Sequence, residues 1–185
     1  MSVRVSFNLD DADLEHLAAI AQQTQLRARH ESADAIIAGA REVLESANRA
    51  QLAGFVKERY SRLETMLQMV ADPQWGLVTE DRQRTLNALA CFDASATPAS
   101  PNALLDHAIM IELVSRDLHH DLEAYRDFCG SRESYGKKRA APEADRERWL
   151  QERRAALQER MHKRRRKDRD GAASGLRKLL SLLGV

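Results

Sequence analysis

The feature that most constrains the fold is a segment in the second half of the chain that is long enough for a helix and almost entirely apolar. Residues 104–121 read LLDHAIMIELVSRDLHHD, and only Asp106, His107 and Glu112 interrupt the apolar residues of the first half. A helix that is apolar on nearly every face must be buried on nearly every face. The segment therefore predicts a central helix over residues 102–128, around which the other helices pack as a bundle.

The composition favours the same fold class. The chain of 185 residues has eight glycines and four prolines, and 43% of its residues are hydrophobic. The glycines and prolines are too few for the turns of an all-β domain. The apolar residues are enough for one core with an appendage. We predict an all-α fold, a compact helical bundle around the central helix. No apolar run reaches the roughly 18 residues of a membrane span.

Shorter elements are predicted before the central helix. Alternating apolar and polar residues over 3–8 predict a short N-terminal strand. Apolar residues at helical spacing predict one helix after Asp10 or Asp11, another from near Ser32, a third that stops before Pro73, and a fourth capped by Thr79. The residues predicted to face the core are Leu14, Leu17, Ala21, Ile36, Ala40, Val43, Ala47, Leu52, Phe55, Val56, Leu63, Leu67, Val70, Leu86, Leu89 and Phe92.

The charge is divided unevenly along the chain. Residues 1–129 have 12 basic and 20 acidic residues, a net charge of −8, whereas residues 130–185 have 17 and 8, a net charge of +9. The basic part therefore has an anionic partner, or it folds back on the acidic body. We predict four parts: a helical domain over 1–129, a linker over 130–142, a long charged helix over 143–170, and a basic, leucine-rich amphipathic tail over 171–185.

The polar residues of the central helix are open to two interpretations. Glu112, Arg116 and His120 are spaced four apart and form one row, in which glutamate precedes arginine in the favourable order. We interpret them as a buried polar row without metal or cofactor, since a buried carboxylate needs a partner. The alternative is a metal site with Glu112, His119, His120 and Glu123 as donors. On an ideal helix, however, adjacent histidines point about 100° apart.

Three pieces of the sequence carry a family resemblance: VSFNL, RLETMLQMVADPQWGL with DRQRTLNALACF, and LDHAIMIELVSRDLHHDLEAYRDFC. Together they span most of residues 3–129, and they resemble the YkvA-type family of bacterial domains of unknown function, in its longer proteobacterial form. The resemblance implies a compact helical domain and no established reaction. The family has an Asp- and Pro-rich loop before an Asp-Asp pair. Here the loop is shortened to DASATPASPNAL, Asp106 remains, and His107 replaces the second aspartate, which implies a lost or altered loop function.

The motifs favour an interaction protein over an enzyme. The sequence contains no glycine-rich phosphate loop, nucleophile elbow or His-Glu-x-x-His motif. Cys91 and Cys129 match no metal or redox motif, which is typical of reduced thiols in a cytoplasmic protein. We predict that the basic C-terminus contacts an anionic surface, such as the inner face of the membrane, or an acidic protein partner. The residues predicted to make this contact are Arg164, Arg165, Arg166, Lys167, Leu176, Arg177, Lys178, Leu179, Leu180 and Leu183.

The alternative function is nucleic-acid binding. The predicted strand followed by two helices resembles a ribbon-helix-helix arm, whose strands would present Arg4, Ser6 and Asn8 to the major groove. However, residues 1–50 have a net charge of −3, and duplex binding depends on phosphate neutralisation. The basic run over 160–169 could bind nucleic acid without sequence specificity, but no aromatic platform for base stacking lies beside it.

Overall fold

The computed structural model describes residues 26–92, 101–138 and 143–171, together with residues 19 and 23. The predicted strand over 3–8, the shortened loop over 93–100 and the tail over 172–185 lie outside these residues. Within the described ranges the chain is helical and has no strand, so the predicted all-α fold is confirmed. Residues 26–30 are helical. The helices that follow are α1 (Ala33–Arg49), α2 (Gly54–Ala71), α3 (Thr79–Leu89), α4 (Pro101–Asp117), α5 (His119–Lys138) and α6 (Glu143–Gly171).

The first helices form where capping residues and apolar spacing predict them. The Ser32 side chain accepts a hydrogen bond from the backbone amide of Ala35 at 3.2 Å and so caps α1. The four residues predicted to face the core in α1 are all buried. Helix α2 ends at Ala71, one residue before the predicted stop at Asp72. Thr79 is the first residue of α3 and not its cap, because Val78 holds the capping position and makes no side-chain hydrogen bond.

The central helix is two helices and not one. Helix α4 ends at Asp117 and α5 begins at His119, with Leu118 between them fully buried. Arg84 donates a hydrogen bond to the backbone oxygen of Asp117 at 2.7 Å. In a continuous helix that oxygen would accept from the amide four residues later. The apolar segment therefore forms the core as predicted, but its helix is interrupted at one residue, Leu118.

Helix α6 packs on the body of the protein and is not a separate appendage. Its residues Leu150, Leu157 and Met161 are buried in the same core as α4 and α5. Helix α5 continues to Lys138, so the predicted linker over 130–142 is helical over most of its length. The turn between α2 and α3 lies under α6, where Gln158 donates a hydrogen bond to the backbone oxygen of Trp75 at 3.0 Å. No helix within the described ranges is long and apolar enough to span a bilayer.

Candidate functional site

A row of polar contacts runs along the seam between α5 and α6. Arg153 donates to Ser131, Arg160 to Asp127, and Arg164 to Glu123, and His120 lies 2.8 Å from Asp168. Residue numbers rise along α6 as they fall along α5, so the two helices are antiparallel. The row joins the basic face of α6 to acidic and polar groups of α5. The charge pattern left open whether the basic part folds back on the acidic body. Residues 153–168 do so.

A second group of polar contacts involves two buried aspartates. Asp81 of α3 and Asp121 of α5 have side chains that are 2% and 0% exposed. Arg165 reaches both, with Nη1 2.5 Å from Oδ1 of Asp81 and 3.3 Å from Oδ1 of Asp121. His162 Nε2 lies 2.7 Å from Oδ2 of Asp81, and Arg84 Nη1 lies 3.4 Å from Oδ2 of Asp121. Each buried carboxylate therefore has two cationic or hydrogen-bonding partners, which burial of a charge requires.

Local sequence explains why these aspartates tolerate burial. Asp81 lies in the first turn of α3, and Asp121 lies in the first turn of α5. The amino end of a helix carries partial positive charge and stabilises a carboxylate there. Burial raises the pKa of Asp121, while the positive charges of Arg84 and Arg165 oppose the shift. The structure thus uses helix ends and arginines together to hold two acidic groups under α6.

The predicted row of Glu112, Arg116 and His120 exists only in part. Arg116 Nε lies 3.0 Å from Oε1 of Glu112, so the pair forms, and the glutamate side chain is half-buried at 24% exposure. The arginine side chain is 61% exposed, so the prediction of burial is wrong for Arg116, whose long side chain reaches solvent at the bundle surface. His120 contacts Asp168 of α6 instead of extending the row.

Glu112 has two further partners that sequence reasoning missed. Arg62 of α2 lies 2.8 Å from Oε2 of Glu112, and Arg59 lies 3.5 Å from the same oxygen. Burial alone would raise the pKa of Glu112, but the hydrogen bond from Arg116 and the charges of Arg62, Arg116 and Arg59 lower it. Arg59 and Arg62 are three positions apart, so the two share a face of α2. That spacing is the sequence signal that could have indicated a shared acidic partner, although it does not specify which carboxylate the two arginines contact.

The four donors considered for a metal are not brought together. Glu112 is paired with arginines of α2 and α4, and Glu123 accepts two hydrogen bonds from Arg164. His119 and His120 instead converge with Asp168, and one ligand atom from each of these three residues lies within 4.8 Å of the other two. The hydrogen bond from His120, together with the nearby charges, lowers the pKa of Asp168. No sequence signal pointed to Asp168, which is 48 residues from His120.

The basic run at the end of α6 is divided between the body and solvent. Arg164 pairs with Glu123 at 2.8 Å, and Arg165 contacts the buried Asp81 and Asp121. Arg166 and Lys167 are exposed. The other residues predicted to contact an anionic surface lie outside the described residues: Leu176, Arg177, Lys178, Leu179, Leu180 and Leu183. The predicted DNA-contacting residues Arg4, Ser6 and Asn8 lie outside them too.

The family resemblance stays a prediction. Asp106 is half-buried in α4, and His107 is buried with its ring 6.0 Å from that of Phe92. The shortened loop that distinguishes this chain from the family pattern falls on residues 93–100, outside the described ranges. Comparison with protein family models, curated proteins and solved structures found no match to the chain.

Proposed function

We propose that this protein is a non-enzymatic interaction protein that binds an anionic surface, such as the inner face of the membrane, through the exposed basic end of α6 and the tail that follows it. The observation that supports this function is the anchoring of Arg165 on Asp81 and Asp121. Because that contact sets the rotation of α6 on the body, it also decides which basic residues of the run face outward.

The outward residues form one basic face. On a helix with 100° per residue, Lys163, Arg166 and Lys167 fall within about 100° of one another and opposite Arg165. All three are exposed. Lys163 also pairs with Glu159 of the same helix at 2.8 Å, a surface contact that is weak in water. The face can therefore exchange a solvent-exposed partner for an anionic headgroup at small cost.

The tail sequence, which follows this face along the chain, adds charge and leucines at regular spacing. Arg177 and Lys178 bring two more cations, and the leucines at 176, 179, 180 and 183 recur at helical spacing. A basic residue close to an anionic membrane contributes about 1 kcal/mol, and a leucine face adds shallow insertion. Such an arrangement favours a lipid surface over nucleic acid, because duplex binding uses the charges but gains little from the leucines.

Vesicle binding tests this function directly. Full-length protein is mixed with vesicles of neutral lipid and with vesicles containing anionic lipid, and the bound fraction is measured by sedimentation. One variant replaces Lys163, Arg166 and Lys167 by glutamine. Its matched control replaces Arg29, Arg41 and Arg126, which are exposed elsewhere on the body. A further variant, L179S with L180S, removes part of the leucine stripe without changing the charge.

We expect binding to anionic vesicles only, with a steep loss as salt is raised. The K163Q/R166Q/K167Q variant should bind at least about tenfold more weakly, since three contributions of about 1 kcal/mol are removed. The matched control should bind as wild type does, and L179S/L180S should weaken binding even at low salt. A wild-type protein that does not bind anionic vesicles, but binds duplex DNA through the same three residues, would reassign this face to nucleic acid.

A further inference from the structure

We propose that His119, His120 and Asp168 bind one divalent transition-metal ion, of which Zn²⁺ is the best fit. The ion would fasten the end of α6 to the junction between α4 and α5. Such a site is independent of the anionic-surface function, because it uses none of the outward basic residues.

The distances between the ligand atoms suit a tetrahedral ion. His120 Nε2 lies 2.8 Å from Oδ2 of Asp168, and His119 Nε2 lies 3.7 Å from the same oxygen. Ligands held at 2.0 to 2.2 Å from zinc in tetrahedral geometry are about 3.3 Å apart. The two observed distances lie on either side of that value. The ligand atoms of the two histidines lie within 4.8 Å of each other, so side-chain rotation would bring all three ligands around one ion.

The His119 ring is already oriented as a metal-binding imidazole. Its Nδ1 lies 2.7 Å from the backbone oxygen of Arg116, so Nδ1 carries the proton and donates it to that carbonyl. Nε2 is then the nitrogen with the free lone pair, and it faces Asp168. A backbone carbonyl that fixes the tautomer in this way is the usual outer support of a zinc-bound histidine.

The two neighbouring histidines lie at the junction between α4 and α5. His119 is the first residue of α5, directly after Leu118 interrupts the helix. The two imidazole rings are 3.6 Å apart between centroids, with 43° between their planes. On one tetrahedral ion the two rings would turn further apart than this, so that both Nε2 atoms point at the metal.

The donor set selects the class of ion. Two imidazole nitrogens and one carboxylate oxygen suit zinc, nickel or copper, whereas magnesium and calcium prefer oxygen ligands throughout. His119 and Asp168 are exposed, so water can complete the coordination. Metal binding at Nε2 of His120 would put the ring proton on Nδ1, which is buried and has no hydrogen-bond partner among the described residues. This cost predicts weaker binding than in a closed four-ligand site.

Calorimetric titration of tag-free, full-length protein with zinc chloride tests the site. The variants are H119A and D168N, and the matched controls are H30A and D145N, which alter an exposed histidine away from the site and an exposed aspartate of α6. We expect one equivalent of zinc to bind wild type and both controls. We expect at least about a tenfold loss of affinity in H119A and D168N. Zinc should also raise the melting temperature of wild type and of both controls, but not of D168N.

Two results would overturn the site: no saturable binding of zinc to wild-type protein, or equal binding by wild type and D168N. Because Asp168 is exposed, D168N should keep its fold, which circular dichroism verifies. If H119A is unfolded, D168N alone decides the outcome. Titration with Co²⁺ gives an independent reading, since its visible absorption changes when it enters a tetrahedral site. A Co²⁺ spectrum that is the same for wild type and D168N would contradict coordination by Asp168.

Discussion

Arg165 Nη1 donates a hydrogen bond to Oδ1 of Asp81 at 2.5 Å, and this contact joins residues that are 84 positions apart. The same nitrogen lies 3.3 Å from the buried carboxylate of Asp121. One arginine therefore holds α6 against both α3 and α5. This contact turns a helix that is charged along most of its length into part of the folded body.

Replacing Arg165 by methionine should destabilise the protein by about 3 kcal/mol, because two buried carboxylates lose a shared cation. This loss of stability is at the lower end of the range for breaking a buried ion pair, since His162 still contacts Asp81 and Arg84 still contacts Asp121. Urea denaturation measures the change. The control R166M removes an exposed arginine one residue later and should stay within about 0.5 kcal/mol of wild type.

Replacing Arg116 by methionine should cost less than about 1 kcal/mol. The side chain is 61% exposed, and Glu112 keeps Arg62 and Arg59 as partners. R62M should cost more, about 1.5 to 3 kcal/mol, because it removes the charged hydrogen bond at 2.8 Å. The two variants are compared by urea denaturation under the same conditions. Equal losses, or a greater loss in R116M, would contradict this distribution of partners around Glu112.

The pKa of Glu112 is lowered in the folded protein, so its ionised form stabilises the fold. That contribution is fully present above the unfolded-state pKa of 4.5 and is lost as the pH falls through the lower folded-state value. The free energy of unfolding of wild type should therefore exceed that of E112Q at neutral pH, and the two should converge in acid. Urea titrations from neutral pH to about pH 3 measure the difference. A difference independent of pH would show that the charge of Glu112 is not the cause.

Replacing Gly76 by alanine should destabilise the protein by about 1 kcal/mol. Gly76 has a φ of +53°, and a Cβ there would lie 3.0 Å from Nη1 of Arg154. The matched control is G130A in α5, where a Cβ meets nothing within 4 Å. Alanine is the better helix former, so G130A should raise stability by about 0.5 to 1 kcal/mol. Thermal denaturation of both variants should give melting temperatures shifted in opposite directions.

The helices and most of the core could be predicted because each depends on residues close together in sequence. Helix α1 starts after Ser32 because serine is a capping residue, and its buried residues follow from helical spacing. Helix α2 ends before Pro73 because proline lacks a backbone amide hydrogen. The apolar run of α4 likewise predicts its own burial. In these cases a residue's neighbours along the chain decide its environment, and the pattern alone carries the information.

The candidate site could not be predicted because its partners are distant in sequence. The charge pattern indicated that a basic segment could fold on an acidic body, but not that Arg165 would meet Asp81 and Asp121. The angle between adjacent residues of an ideal helix argued against His119 and His120 converging. The two side chains nevertheless converge with Asp168 at the junction between α4 and α5, where one ligand atom from each of the three residues lies within 4.8 Å of the other two.

Amide hydrogen exchange of the full-length protein tests most directly whether α6 is held on the body by Arg165. If it is, amides over residues 150–165 should exchange only through global unfolding and be protected as strongly as those of α5. In R165M, protection of α6 should fall more than protection of α2 does. The contradicting result would be α6 amides in wild type that exchange as fast as those of an unfolded peptide while α5 stays protected.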